Sequence, residues 1–297
     1  MAISLENLRN DIRLRKESDK QMSNVWLLVY LLPIGVGVIF SVYFLVSFID
    51  IVDTIYPASS SINFSYDGFD AQIMNAWITI GLTGVVNFTV GIVLTYKLVN
   101  RRHTHFKRQK FLSEDLIASI KSMGKMKDID VETSLASIER TLREANTEET
   151  EKSGILWAIL TAFIPFVQLY VYYFLMNDFY RHEQKEDGLW KDISEALNKL
   201  DINFSVIRRT EYIPKRSFVL YLILTIITGG LFVVYWLYIL LTDPNEHFKY
   251  HIQAESQLMS TLEPVLTQNR SKIESCYLSK PKDRLKNMLP IIPRERE

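Results

Sequence analysis

Histidine and aspartate recur at fixed distances from the ends of three apolar segments. A tyrosine precedes a histidine by nine residues three times, and in two of these cases an aspartate lies four residues before the histidine. The residues are His105, His182 and His247, which follow Tyr96, Tyr173 and Tyr238, together with Asp178 and Asp243. Imidazole and carboxylate groups are common ligands of zinc and other transition metals. If the three segments pack around one axis, these five side chains could form a metal site.

A simpler interpretation of these histidines needs no metal. All five, His103, His105, His182, His247 and His251, lie within about ten residues of the end of an apolar run. A polar ring is favourable both at a helix C-terminus and at the level of lipid headgroups. Both interpretations stay open at this point.

Other chemistry has little support in the sequence. There is no glycine-rich phosphate loop, serine elbow or nucleotide fingerprint. No histidine lies inside an apolar run, which argues against an intramembrane bis-histidine haem. We therefore predict no catalytic residue and no cofactor, and we do not expect an enzyme.

Four apolar segments must position these residues. None contains Asp, Glu, Lys, Arg or His, and each has at least 24 residues. They are Val25–Ile49, Ile73–Tyr96, Gly154–Asn177 and Ser217–Thr242. A helix needs about 20 residues to cross the hydrocarbon core. The sequence therefore predicts an all-α integral membrane protein and excludes a soluble globular enzyme.

The distribution of basic residues predicts the orientation. The chain has 34 Lys and Arg residues, but none lies in the loop 50–72 between the first two segments. Because cytoplasmic loops collect Lys and Arg, this loop should be external and the N-terminus cytoplasmic. We expect a multipass protein of the cell membrane.

The third and fourth segments contain helix breakers near their centres. Pro165 lies in the third, and Gly229 and Gly230 lie in the fourth. The basic stretch from Arg181 to Arg216 would face outside if both segments crossed the membrane, against the charge bias. We therefore favour two spanning helices plus two re-entrant hairpins over four full spans. Because Pro and Gly also occur in spanning helices, the four-span model stays open.

Amphipathic helices should follow the apolar segments on the cytoplasmic side. Apolar residues recur with helical spacing after the second, third and fourth segments. We divide the chain into a cytoplasmic N-terminal helix (1–24), two transmembrane helices (25–99), a cytoplasmic helical segment (100–152), a third apolar segment with its amphipathic helix (153–201), a linker (202–216), a fourth apolar segment with its amphipathic helix (217–270) and a basic C-terminal tail (271–297).

The fourth segment resembles a known membrane domain. Its motifs are ILTIITGG, then Tyr235-Trp236-Leu237-Tyr238, then Asp243. On these motifs the stretch Phe218–His247 resembles the DUF4234-type membrane domain, an uncharacterised family. The resemblance implies a membrane domain and no activity.

Small and polar residues line faces of the first two segments. Gly37 and Ser41 form a small-x3-small pair, and a stripe of residues four apart follows on the second segment: Thr79, Thr83, Asn87 and Gly91. Such residues pack helices together or mark a solute pathway.

The function predicted from these features is a non-enzymatic membrane scaffold or assembly component that acts through hairpins and surface helices. The alternatives are a channel or small-solute transporter that uses the Thr79/Thr83/Asn87 stripe, and a metal-dependent membrane enzyme that uses the repeated Asp and His. The expected partners are the lipid bilayer, with anionic lipid at the cytoplasmic face, and further copies of the chain or other membrane proteins. No nucleic-acid partner is expected.

Overall fold

The protein is helical throughout the part that the structure describes. The computed structural model covers the backbone of residues 2–55, 66–164 and 166–278, and side chains within residues 6–49, 74–164 and 166–268. The helices are α1 (Ala2–Ser18), α2 (Val25–Ile55), α3 (Tyr66–Lys127), α4 (Glu132–Glu148), α5 (Gly154–Phe163), α6 (Val167–Lys199), α7 (Phe218–Ile227) and α8 (Phe232–Leu278). The prediction of an all-α protein is confirmed for these residues. The loop 56–65 and the tail beyond residue 278 lie outside them.

Two helices, α2 and α3, are long and apolar enough to cross a membrane. Their apolar side chains are largely exposed, as Ile39 is at 73%. In a core helix of a soluble protein the same side chains would be buried. The apolar part of α3 continues without a break into a polar part. One 62-residue helix therefore contains both an apolar segment and residues of the site described below.

The third apolar segment is a helical hairpin. Ser153 caps α5 by accepting a hydrogen bond from the backbone N–H of Leu156. The ring of Trp157 in α5 lies 5.1 Å from that of Phe174 in α6, which places the two helices antiparallel. The tip of α5 reaches Phe88, midway along the apolar part of α3. With 10 residues, α5 rises about 15 Å, half of the hydrocarbon thickness.

The fourth apolar segment is a second hairpin. Tyr221 of α7 contacts Phe232 and Trp236 of α8, with ring centroids 5.1 and 5.5 Å apart. The turn contains Gly229 at φ +60° and Gly230 at φ +95°, conformations that glycine adopts without steric cost. The predicted breaker Pro165 of the first hairpin lies outside the described residues.

Below the hairpins, the polar halves of the helices form one core. The predicted apolar stripes of α3, α4, α6 and α8 face one another, with Leu8 of α1 among them. Its members include Leu116, Leu135, Leu197 and Leu258, each 2% exposed or less. The amphipathic helices were expected at the membrane surface, whereas in the structure their apolar stripes pack against one another and form this core. The predicted boundary at residue 99/100 also falls inside α3, whereas the linker 202–216 is non-helical.

Candidate metal centre

Four buried imidazole rings meet where the hairpins join the polar core. They belong to His105 on α3, His182 on α6, and His247 and His251 on α8. Their ligand nitrogens all lie within 4.8 Å of one another. The Nε2 atom of His247 is 3.2 Å from Nε2 of His105 and 3.0 Å from Nε2 of His251. Around a tetrahedral ion with metal–nitrogen bonds of about 2.0–2.1 Å, neighbouring nitrogens are about 3.3 Å apart. The spacing is close to that of a metal-ligand set.

A carboxylate contacts the Nδ1 atom of every ring. The pairs are His105 with Asp19 at 2.9 Å, His182 with Glu149 at 2.9 Å, His247 with Glu183 at 3.3 Å and His251 with Glu255 at 3.1 Å. In metalloproteins the ligating imidazole usually donates its second N–H to such a group, which fixes the tautomer and the ring orientation. This arrangement leaves Nε2 of His105, His182 and His247 available at the centre of the cluster, whereas Nε2 of His251 contacts Glu186.

The protein alone leaves one of these Nε2 atoms without a partner and brings the other three into close contact. When Nδ1–H donates to a carboxylate, Nε2 carries a lone pair. Lone pairs at 3.0–3.2 Å repel unless a proton or a cation lies between them. Nε2 of His182 is buried and has no hydrogen-bond partner, which is rare for a buried polar atom. Both features fit a cation bound at the centre.

One further carboxylate, that of Glu186, lies among the ligand nitrogens. Its Oε1 atom is 2.8 Å from Nε2 of His251, and its Oε2 atom is 3.8 Å from Nε2 of His247. Trp190 and Arg209 each donate a hydrogen bond to this group. Glu186 is therefore held in place to act as an oxygen ligand beside the four nitrogens.

Charge around the cluster also favours a cation. Arg108 bridges Asp19 and Glu255, and Arg209 bridges Glu183 and Glu186. Arg15 makes a further ion pair with Glu255. Among the described residues, five carboxylates contact the imidazoles and three arginines form ion pairs with those carboxylates. The carboxylates outnumber the arginines by two, and protonation of His251 balances one of these charges, so a cation at the centre would balance the remainder.

The protonation of the rings follows from burial and from these charges. Burial lowers the pKa of His105 to about 4, and it lowers the pKa of His247 well below its ordinary value. His251 differs, since Glu186 and Glu255 outweigh the effect of burial and raise its pKa to about 9. Without a metal, His251 is therefore the ring that carries a second proton and a positive charge, and its Nε2–H donates to Glu186.

Aromatic side chains pack around the rings and fix their positions. Phe106 stacks on His182 with ring centroids 4.3 Å apart, and Phe248 lies 4.7 Å from His105. Phe179 completes this small apolar cluster. Because Phe106 and Phe248 each directly follow a ligand histidine, the repeated His-Phe pair supplies both a ligand and its packing.

The structure brings together only part of the predicted site. His105, His182 and His247 converge, whereas Asp178 and Asp243 do not belong to the group. Asp178 pairs with Arg102 and Lys152, and Asp243 pairs with Arg216. These aspartates therefore neutralise cations beside the cluster.

One histidine of the cluster, His251, was not predicted from the sequence. It follows His247 by four residues on the same helix, the H-x3-H spacing that places two rings on one face. That signal was present in the sequence. The supporting carboxylates Asp19 and Glu149 lie outside the helical segments of the ligands, and no spacing pattern links them to the histidines.

The small and polar residues of α2 and α3 lie away from this centre. A Cβ atom added to Gly37 would lie 3.6 Å from the methyl group of Thr83, so the two helices approach closely there. Ser41, Thr79 and Asn87 donate to backbone carbonyl oxygens four residues earlier on their own helices. A Cβ atom at Gly91 would meet no described atom within 4 Å. Of these residues, Gly37 and Thr83 therefore form a contact between the two helices.

Comparisons with known proteins give no family for this chain. No family model matches the sequence, and neither a curated protein nor a solved structure is significantly similar to it. The resemblance of Phe218–His247 to the DUF4234-type domain is therefore untested.

Proposed function

We propose that this chain is a membrane-anchored metalloprotein that binds one divalent transition-metal ion through His105, His182, His247 and His251. The observation that carries the proposal is the shared geometry of the four rings: each Nδ1 contacts a carboxylate while the ligand nitrogens converge within 4.8 Å. Neutral imidazoles suit zinc, copper, iron and nickel.

The anchoring part of the proposal rests on the apolar elements. We propose that α2 and the first part of α3 span the cell membrane, with the N-terminus in the cytoplasm and residues 50–72 outside. The hairpins α5–α6 and α7–α8 enter from the cytoplasmic side and turn at half depth. Their exposed tips support this arrangement, since Phe166 is 81% and Leu231 76% exposed. The metal centre then lies just inside the cytoplasmic face.

Metal analysis of the purified protein tests the function. We expect about one equivalent of a transition metal per chain to survive dialysis, and we expect the double variant His247→Ala/His251→Ala to lose it. His103→Ala is the matched control, because His103 lies two residues from His105 on the same helix but outside the cluster. Equal metal content in the double variant and in the wild type would contradict the proposal.

A membrane scaffold is the second candidate, and the exposed hairpin tips favour it. In this case the protein would organise the bilayer or partner proteins, and the buried cluster would only stabilise the polar core. Unchanged folding of metal-free protein, combined with membrane remodelling lost in tip variants such as Phe166→Asp, would support the scaffold function.

A further inference from the structure

A cleft leads from the protein surface to the edge of the histidine cluster. It lies between α3, α4 and α6, and it is called the α4 cleft here. Its inner end contains His182 and Glu186, and its walls include Phe106, Leu142 and Leu189. The α4 cleft therefore connects solvent with two groups of the candidate metal centre.

The rim of the α4 cleft has positive charge that the protein does not neutralise. Lys107 and Lys110 lie on the rim, are exposed, and form no ion pair with any described residue. The cations deeper in the cleft are already paired, Arg102 with Asp178 and Lys185 with Glu148. Glu151, which also lines the cleft, is exposed and forms no ion pair with a described residue, so the two lysines leave these unpaired groups with a net positive charge.

The inner wall has a different character. Phe106, Leu142 and Leu189 provide apolar surface, and Phe106 stacks directly on His182. Small-molecule sites generally combine apolar walls with a few convergent polar groups. A ligand that fits both regions has an anionic head for the lysines and an apolar body for the wall.

The inner end offers a point of contact with the centre. Nε2 of His182 is buried without a hydrogen-bond partner, and His182 is the only one of the four cluster histidines that lines the cleft. A molecule in the cleft would reach the centre at His182.

We infer that the α4 cleft binds a small organic acid with an apolar body, with its carboxylate on Lys107 and Lys110 and its body against Phe106 and Leu142. This inference deepens the proposed function, because it supplies the substrate class for a metal at the four histidines. The binding itself depends only on residues of the cleft.

Saturation-transfer NMR with 3-phenylpropionate tests the inference on the full chain in lipid nanodiscs. We expect 3-phenylpropionate to bind, and we expect at least tenfold weaker binding of 3-phenylpropanol, which lacks the charge, and of propionate, which lacks the apolar body. Empty nanodiscs measure the partition of each probe into lipid.

Two variants complete the test. Lys107→Glu/Lys110→Glu should weaken binding of 3-phenylpropionate at least tenfold, whereas Lys121→Glu/Lys125→Glu, the same charge change on exposed positions of the same helix, should not. Ala145→Phe should block the cleft, which Ala145 lines. Equal binding to the Lys107/Lys110 variant and to wild type would overturn the inference.

The metal content of the same samples separates the two proposals. Binding of 3-phenylpropionate to a protein that never retains metal would leave the cleft assignment standing and refute the metal centre. Retention of metal without binding of the probe would refute the cleft assignment alone.

Discussion

The carboxylates behind the imidazoles decide how well the four rings are ordered. Asp19 is the clearest example. It contacts Nδ1 of His105 and accepts hydrogen bonds from two guanidinium nitrogens of Arg108. These contacts outweigh burial and hold the pKa of Asp19 well below its ordinary value. It therefore stays ionised and orients His105 at every physiological pH.

Replacing Asp19 should weaken metal binding without removing a ligand. We expect Asp19→Asn to lower metal affinity by about 10–100-fold, the usual effect of losing a supporting carboxylate. Competition with a chromophoric chelator measures the affinity. Asp128→Asn is the control, since Asp128 has a φ of 52° that asparagine also adopts and lies outside the cluster. Equal affinity of Asp19→Asn and wild type would count against the supporting role.

A second aspartate makes stability depend on pH away from the centre. Burial and the nearby Asp115 raise the pKa of Asp11 on α1 to about 6. A raised pKa means that the folded protein prefers the protonated acid. Below about pH 4, Asp11 does not change the free energy of unfolding, because it is protonated in both states. From there to about pH 6 it lowers this free energy progressively, and above that range the loss is constant.

Asp11→Asn removes this penalty. We expect the variant to be more stable than wild type by about 1 kcal/mol at pH 8, a value that allows for solvent screening, and equal to it at pH 4. Thermal unfolding in detergent at both pH values measures the difference. A stabilisation that is the same at pH 4 and pH 8 would show that ionisation of Asp11 is not the cause.

At the level of the helices, a side chain of α3 supplies a hydrogen bond that the backbone of α8 lacks. Pro244 lies inside α8 and has no N–H, so the carbonyl oxygen of Leu240 lacks its helical partner. Arg101 of α3 is buried and donates hydrogen bonds to the carbonyl oxygens of Leu240 and Leu241, at 2.6 and 3.3 Å. This contact fixes α8 against α3 within two turns of His247 and His105.

Loss of Arg101 should therefore destabilise the pair of helices. We expect Arg101→Met to cost about 2–3 kcal/mol, because a buried carbonyl is left without a partner. Restoring the N–H with Pro244→Ala should recover part of this loss in the double variant. Chemical unfolding measures the three free energies, and strictly additive effects of the two substitutions would contradict this role of Arg101.

If the third apolar segment is a re-entrant hairpin, as proposed, the polar part of α6 lies on the cytoplasmic side of the membrane. We expect a single cysteine at Lys191, in a chain whose Cys276 is replaced, to react with an impermeant reagent only after the cells are opened. A cysteine at Ser60, in the predicted external loop, is the positive control on intact cells. Labelling of position 191 from outside would mean that the third apolar segment spans the membrane.

At the level of the whole molecule, the sequence predicts more of the helices than of the candidate site. Charge-free runs and the apolar stripes of α3, α4, α6 and α8 predict the helices, because burial imposes a helical period on each of them. The equal Tyr-to-His distance placed His105, His182 and His247 at matching levels, and the structure brings these three together. Asp178 and Asp243 share that spacing but face arginines, since a residue four positions earlier on a helix lies one turn nearer the apolar half of the helix.

What the sequence could not provide is contact between distant elements. Asp19 lies between α1 and α2, Glu149 follows α4, and Arg209 comes from the non-helical stretch before α7. Each reaches the cluster only because the polar core packs these elements together. No local pattern reports such contacts.

X-ray absorption spectroscopy of the bound metal tests the central proposal most directly, since it counts and identifies the ligands. We expect a first shell of nitrogen and oxygen at about 2.0–2.1 Å for zinc, with outer-shell scattering that requires three to four imidazole rings. The same spectrum after His182→Ala should lose one imidazole. A shell of oxygen atoms without imidazole scattering would contradict a metal centre built by these four histidines.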